Sequence, residues 1–273
     1  MPNVRPLVIG FAGGSGCGKT HLAHEIRDAA GHENVSVLSM DQYFSEIDLA
    51  VTDPSEINFD HPAHLDFDQL IADVSALRRG ETVETPQYDY GTMRRKSERR
   101  LVRPGKVLLL EGLFVLAEPL VRLCDFTCYL DVDTDERLLG RILRDTRERG
   151  ASIEQVVDRY QRYVRPSHKV FVSPTRENAD IVVDFTYRRT LFTKLVSHLI
   201  KDRIEKGMDP DALVSDLRGD AFSAGADRKR GYMPFSTDIL MLAKAYPESV
   251  LPDGGAHLRL SSPAMSHFES LLE

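Results

Sequence analysis

The sequence predicts an α/β fold, a mostly parallel β-sheet with helices on both faces. Five short apolar runs, Val4–Phe11, Val35–Met40, Val107–Leu110, Phe126–Asp131 and Ile181–Asp184, are separated by segments of helical periodicity. Nearly continuous apolar strands are buried on both faces, and intervening helices supply the cover. The first run leads directly into a Gly-rich turn and then a helix-like segment, His21–Ile26. Polar residues also gather just after the strands, the edge where ligands bind in such sheets.

Size and charge limit the classes of function. A chain of 273 residues holds one sizeable α/β domain, read as residues 1–207, plus an extension, 208–273. The formal net charge of −7 argues against nonspecific nucleic-acid binding, which needs a surplus of Lys and Arg on one face. Three cysteines are too few for a disulfide framework, and Cys124 and Cys128 lack flanking zinc ligands. No window supports a membrane span and no leader pattern opens the chain, so a cytoplasmic protein is expected.

The turn after the first strand is Gly13-Gly14-Ser15-Gly16-Cys17-Gly18-Lys19-Thr20, which satisfies G-x-x-x-x-G-K-[ST]. Glycines let backbone N–H groups turn inward around a polyphosphate, and the following helix offers its partly positive N-terminus to the same anion. Lys19 would reach the outer phosphates and Thr20 would offer its hydroxyl to Mg²⁺.

After the second strand stands Asp41, placed either to take a proton from an attacking hydroxyl, to help hold hydrated Mg²⁺, or to cap a helix. The stretch Asn58–Asp66 is polar and interrupted by Pro62, so it reads as a shaped loop whose carboxylates either grip sugar hydroxyls or form turns and a cap before Phe67–Ile71. Residues 81–106 alternate around Gly91 and predict a projecting hairpin, with Tyr88 and Tyr90 able to wall in a flat ligand. Its basic residues are equally consistent with a solvated face.

The third core strand closes on Glu111-Gly112, a carboxylate placed to hold a Mg²⁺-bound water beside Thr20, with Gly112 leaving room near the ligand. From Asp133 to Gly150 an acidic start and Arg137, Arg141 and Arg144 at i, i+4 and i+7 predict a helix with one arginine face. That face reads as a clamp on a transferring phosphoryl group, against the alternative of surface ion pairs with Asp145 and Glu148. Arg189–Ile200 predicts a helix stopped at Gly207. Farther on, Ser223–Gly231 reads as a link, and Asp238–Ala245 and Ser266–Leu272 as short helices.

Taken together these segments resemble the uridine kinases of the P-loop nucleoside kinase group, to which phosphoribulokinases are more distantly related. The matching stretches are the P-loop, Asp41–Phe44, Asn58–Pro62, Pro86–Tyr90, Glu111–Leu113, Arg137–Gly150, Val164–Pro166 and Ala179–Val183, in order over residues 7 to about 190. The resemblance implies a P-loop fold with a five-stranded parallel sheet, a β-hairpin and a mobile helical lid. It implies ATP or GTP as phosphoryl donor, Mg²⁺, and a small nucleoside acceptor, uridine or cytidine, phosphorylated at its 5′-hydroxyl.

By that resemblance Asp41 is the base and Lys19, Arg141 and Arg144 complete the catalytic set. Residues Gly13 to Thr20 hold the nucleotide, Thr20 and Glu111 serve the metal, and Asp60, Phe59, Tyr88, Met93 and Arg141 bind the acceptor. Met93 stands where the family usually has a histidine facing the pyrimidine, Ala151 where it has an arginine, and Arg159 precedes Tyr160 where it has a glutamine. Two other readings fit the same residues: a kinase of another sugar-like alcohol, and a nucleotide-sensing module without turnover. Neither a nucleic-acid nor a membrane partner is expected, and homo-oligomer formation is left open.

Overall fold

The computed structural model describes residues 5–47, 56–207, 209–218 and 244. Five parallel strands form the sheet in the order β2-β7-β1-β8-β9: β1 Leu7–Gly13, β2 Val35–Ser39, β7 Val107–Glu111, β8 Phe126–Asp131 and β9 Ile181–Asp184. These are the five apolar runs. In β7, Leu108 and Leu110 join the apolar layer shared with Leu70, Val74 and Leu77 of α2 Phe67–Arg78. Val107 and Leu109 point the other way, into the layer of Leu22 and Ile26 from α1 Lys19–Ala30 and Ile200 and Ile204 from α6 Phe185–Glu205. The alternation follows from the period of two along a strand, and it buries the sheet on both faces.

Register brings the chemistry to one edge. Phe11 of β1 and Ser39 of β2 both pair with Glu111 of β7. The loops leaving β1, β2 and β7 therefore start level with one another, at the carboxyl ends of the strands.

The stretch 81–106 forms a two-step hairpin. β3 Val83–Thr85 pairs with β6 Arg100–Val102, and β4 Tyr88–Asp89 pairs with β5 Arg94–Arg95, both antiparallel. Its basic residues are not all solvated: Arg95 donates to Phe44 O at 2.9 Å and to Asp66 Oδ2 at 3.1 Å, pinning the hairpin to the turn after β2. Arg94 and Arg100 are exposed.

The lid region is α3 Thr134–Glu148, then α4 Ile153–Arg159, opened by a capping box between Ser152 and Gln155 and continued through the short α5 Arg165–Ser167. Gly150 joins α3 to α4 with φ 67°, a left-handed conformation that favours glycine. Cys17, Cys124 and Cys128 are buried, and none of them forms a disulfide.

Helix α6 contains the predicted Arg189–Ile200 and ends before Gly207, which has φ 80°. Beyond it α7 Pro210–Arg218 sets Leu213 into the apolar layer of Ile200 and Ile204. The link read at Ser223–Gly231 and the helices read at Asp238–Ala245 and Ser266–Leu272 lie outside the described residues, Lys244 excepted.

Candidate active site

The P-loop spans the gap between β1 and α1. Gly16 has φ 86°, and a Cβ there would run into the Arg137 carbonyl, so the loop can lie against α3 only with glycine at this position. Lys19 is 8% exposed and its Nζ donates to the carbonyls of Gly13 at 2.9 Å and Gly14 at 3.1 Å.

Next to it, the Thr20 hydroxyl donates to Glu111 Oε1 at 3.0 Å. Glu111 is 1% exposed, and burial, followed by the charge of Asp41, raises its carboxyl above the usual carboxylate range despite Lys19. A desolvated carboxylate paired with a hydroxyl fits Mg²⁺, which takes one or two protein oxygens and completes its shell with water and phosphate. Among the described residues no group of three or more His, Cys, Asp or Glu could hold a metal.

Asp41 follows β2 on the 3₁₀ turn Met40–Tyr43. It is not the cap of that turn, a position held by Ser39; its Oδ2 instead accepts from the Tyr90 hydroxyl at 3.0 Å. The glycine after Glu111 has a different reason from the one expected. A Cβ on Gly112 would collide with Met40, so the free space there admits the residue before Asp41 rather than a ligand.

The loop Asn58–Asp66 sorts its carboxylates by neighbour. Asp66 caps α2, accepting from Gln69 N at 3.0 Å. Asn58 Oδ1 accepts from Asp60 N at 3.1 Å, a turn that directs Asp60 toward α3. There Arg141 donates to Asp60 Oδ2 at 3.2 Å and to Ser15 Oγ at 2.8 Å. One guanidinium thereby joins α3, the Asn58–Asp66 loop and the P-loop.

Behind Arg141 lies Asp145, 6% exposed, paired with Arg141, Arg144 and Arg149. Burial pushes its carboxyl up, but the Arg144 and Arg141 charges, with Arg149, more than reverse this and hold it below the ordinary carboxylate range. The ion pairs with Asp145 therefore form, but around a buried carboxylate and a buried Arg141, with Arg144 and Arg149 at the rim.

These groups line one open cavity of about 830 Å³, which includes Ser15, Lys19, Thr20, Asp41, Asp60, Glu111, Arg141 and Arg144. A second cavity of about 220 Å³ continues from it past Phe59, Tyr90 and Arg149 to Met93, Ala151 and Arg159. Among the described residues no helix is long and apolar enough to cross a membrane.

The sequence pattern of the Phosphoribulokinase / Uridine kinase family matches residues 8–191. The chain belongs to this family. A uridine kinase of Listeria welshimeri is 39% identical over 181 residues, covering 66% of this chain and 87% of its own length. A uridine kinase of Chlamydia pneumoniae is 38% identical over 210 residues, 75% of this chain and 93% of its own. The fold likewise matches a structure from Silicibacter sp. TM1040, provisionally described as a fructose transport system kinase, with a TM-score of 0.54, 19% identity, and coverage of 67% of this chain and 91% of that one.

Two residues sit elsewhere than expected, Tyr88 as read from the family resemblance and Arg137 as read from helical spacing. Tyr88 lines neither cavity: it is 5% exposed, packed between Phe44 and Tyr90 at ring-centroid distances of 5.4 and 5.3 Å, and Tyr90 forms the wall in its place. Arg137 shares the arginine face but not the cavity. It is 4% exposed, donates to Val132 O at 3.1 Å and Thr134 Oγ1 at 3.2 Å, and covers Gly14 of the P-loop. Met93 and Phe59 do line the second cavity, Met93 with φ 55° at the hairpin turn.

Sequence reasoning missed the buried centre at Asp145 and the stacking of Arg149 over the Tyr90 ring, 4.0 Å from its centroid. Their spacing, Arg141, Asp145 and Arg149 at successive i, i+4 steps, was the available signal.

Proposed function

We propose that this chain is a nucleoside kinase within the phosphoribulokinase/uridine kinase family. It transfers the γ-phosphoryl group of ATP or GTP to the 5′-hydroxyl of a pyrimidine nucleoside, uridine or cytidine, in nucleoside salvage. The observation that carries this reading is that Lys19 and Thr20 of the P-loop share one cavity with the carboxylates of Asp41 and Asp60.

In this reading the donor's β- and γ-phosphates lie on Gly13–Thr20, with Lys19 supplying positive charge at the outer phosphates. Mg²⁺, held through Thr20 and Glu111, would neutralise phosphate charge as the donor is cleaved. Asp60 and Arg141 hold the sugar hydroxyls, while Phe59, Met93 and the wall formed by Tyr90 face the base. Asp41 accepts the proton of the 5′-hydroxyl as that oxygen bonds to the γ-phosphorus. The bond to the β–γ bridging oxygen breaks and its electron pair leaves with the nucleoside diphosphate. Arg141 and Arg144 stabilise the charge spread over the transferring group. Residues 1–207 carry the activity and 208–273 form an extension to it. Three buried cysteines, none in a disulfide, agree with a cytoplasmic setting.

The test is nucleoside-diphosphate release measured with uridine, cytidine, other nucleosides and ribulose 5-phosphate, with and without a chelator of Mg²⁺. Strong turnover with uridine or cytidine is expected, lost on chelation. Tight ATP binding without any acceptor turnover would overturn the kinase reading in favour of a nucleotide sensor.

A further inference from the structure

Asp41 sits on a 3₁₀ turn beside the buried Glu111, whose carboxyl it perturbs, so its own side chain has a like-charged neighbour. Its hydrogen-bond partner among the described residues is the Tyr90 hydroxyl, on Oδ2. Tyr90 is itself held on several sides. Its ring packs against Phe59 at 5.8 Å, Phe44 at 5.9 Å and Tyr88 at 5.3 Å between centroids, and the Arg149 guanidinium lies over it at 4.0 Å. The ring position, and with it the hydroxyl, is set by packing from the hairpin and by the end of the lid helix.

Burial, then the Asp41 charge, pushes the Tyr90 phenol well above its ordinary value, so it keeps its proton and acts as donor. Hydroxyl and carboxylate both face the cavity that holds the P-loop lysine.

We infer that Tyr90 is a positioning residue for phosphoryl transfer: its hydroxyl fixes the Asp41 carboxylate through Oδ2 and leaves Oδ1 to take the acceptor's proton. The role rests on the assignment of Asp41 as base. It also links lid to base, since Arg149, one residue before the Gly150 joint, stacks on the ring that holds the carboxylate. A carboxylate free to rotate would spend much of its time misaligned, and small misplacements of a catalytic group are costly in rate.

Tyr90→Phe keeps the ring and removes only the hydroxyl, so it isolates the proposed role from packing. Steady-state kinetics should show kcat down about tenfold, with KM for acceptor and nucleotide within about twofold. In the Asp41→Asn background the same change should cost nothing further, because no base remains to be positioned. A purely structural hydroxyl would instead lower thermal stability in both backgrounds and leave the split between kcat and KM unmoved. Normal kcat in Tyr90→Phe beside a crippled Asp41→Asn, or a double variant losing the full product of the two effects, would overturn the positioning role alone. Normal turnover in Asp41→Asn would remove the base assignment, and the positioning role with it.

Discussion

Arg141 Nη1 lies 3.2 Å from Asp60 Oδ2, and the two residues are 7% and 6% exposed. The pair sits where the P-loop, the Asn58–Asp66 loop and α3 meet, because the same guanidinium also reaches Ser15 and Asp145. A charged pair enclosed this far is held by its geometry, and its partners depend on each other.

Asp60→Asn keeps the shape of that contact and removes its charge. The acceptor KM should rise by roughly tenfold or more, in keeping with about 1.5–3 kcal/mol for a hydrogen bond to a charged group, while nucleotide affinity stays within about twofold. Arg141→Ala strands the buried Asp60 carboxylate, leaves Asp145 with Arg144 and Arg149 alone, and should also destabilise the fold by about 3–5 kcal/mol. Initial rates and urea unfolding of the two variants separate the effects.

Gly112→Ala places a methyl group against fully buried Met40. Overpacking of this kind costs about 1–3 kcal/mol and moves the neighbouring backbone. Since Met40 immediately precedes Asp41, the expected result is a lower melting temperature together with reduced kcat, and a smaller change in nucleotide binding. Calorimetry and turnover on the same preparation check it.

His168 gives the fold an acid sensitivity. Burial first, then Arg137 and Lys19, push its imidazole down to about 3, whereas a histidine in the unfolded chain titrates near pH ~6.5. Between those values the unfolded chain binds a proton that the folded protein refuses. Stability therefore falls as pH drops below about 6.5, by up to about 1.4 kcal/mol per unit. The depressed Asp145 carboxyl acts in the same direction only lower, below about pH 4, where its stabilisation is lost. Urea unfolding between about pH 6.5 and 4.5 should thus show a shallower slope for His168→Gln than for the parent protein; equal slopes would refute the account.

Much of the architecture was legible because burial on both faces leaves a simple record, a short apolar run, at the inner strands; the edge strand β9 carries such a run too, although only Val183 of its apolar residues is buried. The P-loop, Glu111 and Asp41 could be located for a related reason: residues just after parallel strands stand at the ligand edge whatever the order of those strands. Asp60 follows no strand and is read from its polar, Pro-interrupted loop and from the family resemblance. The strand order itself is not written locally. It took the register of Phe11 and Ser39 on Glu111 to bring the three loops level.

Within the site, spacing named faces but not depth. Tyr88 and Tyr90 are two apart, which a strand pattern would set on one side, but β4 ends at Asp89 and Tyr90 lies in the turn, where packing against Phe44 and Phe59 sets it at the cavity. Arg137, Arg141 and Arg144 share a helix face, yet their positions along its axis set Arg137 over the P-loop backbone and the others against the cavity. The sequence by itself determined the fold class, the phosphate loop and the carboxylates at the strand ends, since these follow from periodicity and local backbone chemistry. The tertiary structure alone decided which side chains face one another across the cleft, because those contacts join residues as distant as Ser15 and Arg141, or Asp41 and Tyr90, that no local pattern relates.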